Sequence, residues 1–174
     1  MYPDSLDFAL LLSRVWIAVM IFMHGWRHLN AIRSGPGMAN WFESLGLKPG
    51  WLHAQIVTAT ELALPALLVL GFLTPLAYGG VCSLMVVAFI TNHLKNGFFI
   101  NTTKEGYEYV VTVAVVSITL GAIGPGEWSL DNALDFSFPF DPGKALLITA
   151  LVGIGGSALF LATFWRPPKG TPAS

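Results

Sequence analysis

The chain has 174 residues, 54% of them hydrophobic and 11% charged, with a net charge of −1 and a mean hydropathy of +0.64. This composition excludes a soluble domain carrying a single anchor, offers no basic surface for nucleic acid, and describes one membrane domain. The lone cysteine, Cys82, excludes an intrachain disulfide, a Cys-x-x-Cys pair and an iron–sulfur cluster ligated by this chain alone.

Residues 1–7 are acidic and lack the basic start of a signal peptide, so the apolar run that follows is expected to stay in the mature chain. That run, 8–26, is the first predicted transmembrane helix and has Arg14 in its middle. The connection 33–51 is polar and rich in Gly and Pro. Within it Trp41, Phe42 and Leu45 share helical spacing, which predicts a short interfacial helix. Residues 55–73 form the second helix, around Glu61, and 76–94 the third, with 71–75 a tight turn between them. A shorter fourth helix spans 109–123 and a fifth 145–165. Between these two, Trp128, Phe136, Phe138 and Phe140 among four acids suggest an aromatic belt. Gly153 and Ser157, four apart in the fifth helix, suit close helix packing rather than a nucleotide loop, since no strand precedes them. The apolar runs are continuous rather than alternating, which argues against a β-barrel. The expected fold is therefore all-α: a four-helix transmembrane bundle over 1–131, an outer loop and fifth transmembrane helix over 132–166, and a disordered tail over 167–174.

Charge is distributed unevenly along this serpentine. Arg27, Arg33, Lys48, Lys95, Lys104, Arg166 and Lys169 fall on one side. Asp4, Asp7, Glu127, Asp131, Asp135 and Asp141, with only Lys144 basic, fall on the other. The positive-inside rule then predicts an external N-terminus and a cytoplasmic tail.

Ionisable residues inside a membrane are costly and by default mark a functional site. Arg14 lies ten positions, roughly 15 Å, from His24 near the basic end of the first helix. Glu61 lies eight positions, roughly 12 Å, from His53 at the same end of the second. The two are thus expected at similar depth, as a buried polar core that could pair, either for function or to fix helix register. His24, His28, His53 and His93 all map to the basic end, where Glu105, Tyr107 and Glu108 join them. They form a candidate cavity for a ligand or a proton relay. Such groups could equally hold a quinone headgroup, a metal or a haem iron. With the first helix ending at residue 26, no His-x-x-x-His or Glu-x-x-His pair falls within one helix, so a metal is not expected.

Several of these stretches resemble the DoxX family of small bacterial membrane proteins. They are Arg14 followed by His24-Gly25-Trp26, Glu61 followed by Leu70-Gly71 and Thr74, and His93-Leu-Lys-Asn-Gly-Phe-Phe followed by Gly106-Tyr-Glu108-Tyr. The run from Gly124 through Trp128 to Asp131 resembles the end of the family core, so the likeness covers about residues 8–131. His28 stands where the family often has lysine, and Pro65 where it favours glycine.

The resemblance implies a four-helix bundle in the bacterial inner membrane and a loose association with redox work. Relatives include a subunit of a thiosulfate-oxidising enzyme that delivers electrons to quinone. The leading expectation is an integral membrane subunit of a redox or quinone-linked complex, surrounded by lipid and by other subunits. The cofactor itself is left open, between a quinone and, less favoured, a haem. A permease for a proton or small solute, or a non-catalytic scaffold, are the alternatives.

Overall fold

A computed structural model describes residues 3–101, 104–135 and 141–168. Helix α1 spans Pro3–Arg33. It outruns the apolar stretch by two turns, because nothing between Arg27 and Arg33 breaks a helix until Gly35 and Pro36 arrive. Arg33 in its last turn favourably meets the negative end of the helix dipole. The expected short helix is present as α2, Gly37–Ser44. Its Met38 and Phe42 pack with Leu47 and Ala54 in a small core, while Trp41 stays exposed.

Helix α3, Gly50–Leu70, passes through Pro65 without interruption. Proline has no N–H, so the carbonyl four residues earlier, that of Glu61, loses its helical partner. The helix ends at Gly71, whose φ of 62° is left-handed and favours glycine. Helix α4, Thr74–Ala88, continues through a π turn, Phe89–His93, into a last 3₁₀ turn, Leu94–Asn96. Helix α5 is Glu108–Ile123 and α6 a single turn, Leu130–Ala133. Helix α7, Pro142–Ala150, is joined by a second π turn, Leu151–Gly155, to α8, Gly156–Phe164.

Among the described residues, four helical stretches are long and apolar enough to cross a membrane: Asp4–Arg33, Gly50–Leu70, Thr74–Asn96 and Pro142–Phe164. At 16 residues, α5 is shorter. It rises about 24 Å against a hydrocarbon core of about 30 Å. Phe136, Phe138, Phe140, Lys169 and the rest of the tail beyond it lie outside the described residues.

The central core joins Ile17, Ala18 and Ile21 of α1 to Leu64 and Leu68 of α3, to Tyr78, Val81, Cys82 and Met85 of α4, and to Val110, Val113 and Ala114 of α5. The last helix lies against α4 through small residues. A Cβ at Gly153 would stand 2.7 Å from Cys82 Sγ, and the Ser157 hydroxyl donates to Ser83 at 3.1 Å.

Two polar ends frame this core. At the basic end, the Leu47–Trp165 bridge and the Arg166 N–H donating to Gly46 O at 2.9 Å tie the last helix to the α2–α3 connection. At the acidic end, Asp131 accepts from the N–H groups of Leu73 and Thr74 and from the Thr74 hydroxyl, at 2.8, 3.0 and 2.9 Å. It thereby caps α4, whose first amides have no helical partner.

Candidate functional site

Arg14 and Glu61 are both buried, at 1% and 5% exposure, but they do not form the expected pair. A Cβ at Gly25 would stand 2.9 Å from Glu61 Cβ, whereas one at Gly71 would stand 1.5 Å from Arg14 Nη1. The antiparallel register of α1 and α3 therefore sets Glu61 level with Gly25 and Arg14 level with Gly71. That separates the two charges by about ten residues, or roughly 15 Å along the bundle. The sequence-based depth estimate failed because it took His24 as the helix end, and α1 runs on to Arg33.

Arg14 belongs instead to the acidic end. Its Nη2 donates to the Trp128 carbonyl at 2.5 Å, and its guanidinium is within electrostatic reach of Asp131 and Asp7. Asp7 in turn accepts from the Glu127 N–H at 2.7 Å. Gly71 serves twice here, turning the chain left-handed and leaving the space the guanidinium fills. The arrangement pins the 124–131 connection over α1, α3 and α4, which is a structural task.

Glu61 meets a different partner. Its Oε2 lies 2.6 Å from His28 Nδ1, with the side chains 7% and 22% exposed. The two atoms are close but not aligned as a linear hydrogen bond. Helical side chains lean toward the N-terminus, so His28 leans back along α1 toward the Gly25–Glu61 crossing, and Glu61 leans to meet it. Because α1 is continuous, His24 and His28 stand four apart on one helical face, contrary to the expectation that no such pair falls in one helix. They do not converge on a metal-binding set: among the described residues no three His, Cys, Asp or Glu side chains are placed to hold an ion. The His24 Nδ1–H instead donates to Met20 O at 2.9 Å.

Tyr109, which sequence reasoning passed over, completes the cluster. Its ring stacks on His24 with centroids 6.1 Å apart. Its hydroxyl is buried without a hydrogen-bond partner and is within electrostatic reach of Glu61. Thr58 Oγ1 is also buried and unpartnered, and the register sets it level with His28. The stack places the start of α5 level with the Gly25–Glu61 crossing. That crossing is eleven residues from Gly50, roughly 16 Å in from the start of α3.

The remaining predicted residues go elsewhere. His53 is fully buried, 3.3 Å from the Lys48 carbonyl, with Phe160 and Phe164 edge-on at 5.4 and 5.2 Å. It packs the last helix rather than lining a cavity with the others. His93 donates from Nδ1 to Glu105 O at 2.8 Å, and its Nε2 accepts from Asn92 at 3.2 Å, holding the α4–α5 connection. Tyr107 lies edge-on to Phe89 and Phe98. Glu108 is half-buried at the start of α5, next to Tyr109. The histidines thus share one end of the bundle but not one site.

Residues 9–94 match the model of the DoxX family, which stops short of the 124–131 stretch that also resembled it. A protein of Haemophilus influenzae (strain ATCC 51907 / DSM 11121 / KW20 / Rd), described as an uncharacterized protein, is 26% identical over 135 residues. The alignment covers 73% of this chain and 88% of that protein. No solved structure matches.

Proposed function

From a multi-pass membrane protein that belongs to the DoxX family through residues 9–94, we propose an integral subunit of a quinone-linked redox complex in the bacterial inner membrane. Five segments cross the bilayer, the short α5 among them, with the N-terminus outside and the basic end in the cytoplasm. The grouping of Arg27, Arg33, Lys48, Lys95, Lys104 and Arg166 at that end supports the orientation.

One observation carries the reading: between α1, α3 and the start of α5, a buried carboxylate and an imidazole are in contact, with an unpartnered phenol within electrostatic reach of the carboxylate. Buried polar groups are ordinarily hydrogen-bonded, and an unpartnered tyrosine hydroxyl there is a donor awaiting an acceptor. The carbonyl of a quinone ring suits it. Reducing such a ring consumes two electrons and two protons. The electrons come from a partner subunit, since this chain shows no flavin, nicotinamide or iron–sulfur signature. Glu61 and His28, in contact at 2.6 Å, pass the two protons on one after the other, each drawn from water at the basic end, as imidazole and carboxylate can relay protons.

Binding of a quinone to the purified protein in lipid nanodiscs tests this. Tyr109→Phe and Glu61→Gln should each weaken binding at least several-fold, while His93→Gln, at the distant connection, should not. Wild-type protein that neither co-purifies with quinone nor binds it overturns the reading in favour of a permease or a scaffold.

A further inference from the structure

One side of this site is walled by side chains rather than by closely packed helices. Helix α1 packs along α3 and α2, and α5 along α4 and α7. Between α1 and α5 stands the His24–Tyr109 stack, with ring planes 18° apart. His24 is exposed at the surface. Tyr109 presents a ring face to it and carries its hydroxyl inward, buried and within reach of Glu61. A single side chain thus lies between exposed His24 and the buried interior, its hydroxyl within electrostatic reach of the carboxylate.

The surface beside the stack is apolar. Along the same face of α5, Thr112 and Val116 follow Tyr109 at helical spacing, and both are exposed. The Thr112 hydroxyl is already committed to the Glu108 carbonyl at 2.6 Å, which leaves its methyl outward. On α1, Met20 precedes His24 by one turn and is packed against the core. The seam therefore offers apolar groups outside, at Val116 and the Thr112 methyl, and hydrogen-bonding groups inside. A molecule with a polar ring and a long apolar tail matches that sequence of surfaces. It is already dissolved in the bilayer, and entry from the side avoids drawing its tail through water.

Resting on the quinone reading above, we propose that the ring enters from the bilayer between α1 and α5 and its tail stays in that seam, with His24 as the movable rim. Tyr109 is the hydroxyl that receives the ring, and His24 only covers the outer face of Tyr109, making no contact with the bound ring.

The test compares two probes in nanodiscs, a long-tailed ubiquinone and the tail-less dimethoxy-methyl-benzoquinone, on wild type, His24→Trp and His24→Ala. Filling the rim with Trp should weaken the long-tailed probe at least ten-fold and the tail-less probe less than two-fold. Opening it with Ala should leave long-tailed binding unchanged or tighter, so a poorly folded Trp variant does not decide the matter. If wild type binds both probes and a His24→Trp protein with wild-type melting binds both equally weakly or as wild type does, the lateral route is wrong and the site reading stands. A long-tailed probe lost in His24→Ala also overturns the route. If wild type binds neither probe, the quinone reading falls and takes the route with it.

Discussion

Removing the Asp131 carboxylate should be among the most damaging single changes in this chain. Asp131 is 1% exposed and accepts hydrogen bonds from the Leu73 and Thr74 amides and from the Thr74 hydroxyl. Asp131→Ala orphans all three donors at the buried start of α4. Loss of an N-cap alone costs about 0.5–2 kcal/mol. Leaving a buried donor unsatisfied costs about 1–3 kcal/mol, and Arg14 also loses one of the two carboxylates within its electrostatic reach, Asp7 remaining. With three donors orphaned and these costs overlapping, the expected loss is about 3–5 kcal/mol. For a chain of this length, 1 kcal/mol corresponds to roughly 2–4 °C, which gives a fall in Tm of roughly 6–20 °C. Thermal unfolding in a fixed detergent, followed by light scattering or intrinsic fluorescence, reads the shift. Asp141→Ala is the control: it also caps a helix, accepting from the Gly143 N–H at 2.8 Å, but it is exposed. It should cost about 1 kcal/mol. Equal shifts for the two variants would refute the argument that burial and convergence of three donors set the magnitude.

Other outcomes follow from the register. Arg14→Ala and Glu61→Ala should lower stability additively, to within about 0.5 kcal/mol, because they lie too far apart to share partners; Glu61→Ala and His28→Ala should not, and a double-mutant cycle in detergent distinguishes the cases. Gly25→Val forces a side chain to within contact of Glu61 Cβ, 2.9 Å from an ideal Cβ at that position. It should cost about 1–3 kcal/mol or more and is read by the same melting assay; an unchanged Tm would contradict the close crossing. Tyr109→Phe removes a hydroxyl with no partner, so Tm should stay or rise slightly even as quinone binding falls; a marked loss of stability would mean the hydroxyl is bonded within the fold. Cysteines introduced at Asp135 and Pro168 should react with a membrane-impermeant thiol reagent from opposite faces of intact cells, and labelling of Pro168 from outside would reverse the proposed orientation.

Composition and continuous apolar runs were enough to read a helical membrane protein and to locate its long helices, because a spanning segment must be both helical and apolar whatever it packs against. Glycine and proline marked the tight turn that begins at Gly71 for an equally local reason, whereas the first helix, expected to end at residue 26, runs on to Arg33. Arg14 and Glu61 stood out because buried charge is costly in any fold. What they touch was not legible. Partner choice depends on helix register, and register was fixed by the polar two turns that carry α1 to Arg33 and by a Gly25–Glu61 crossing that no local pattern announces. The same holds for the histidines. Charge placed all four at one end, but rotation about each helix axis sent His53 into an aromatic pocket, His93 to a loop and His28 to Glu61. Tyr109 was hidden for that reason too. It lies in the first turn of α5, two residues after Tyr107, which lies just before the helix, and only packing decided which of the two rings turned toward His24 and which toward Phe89 and Phe98.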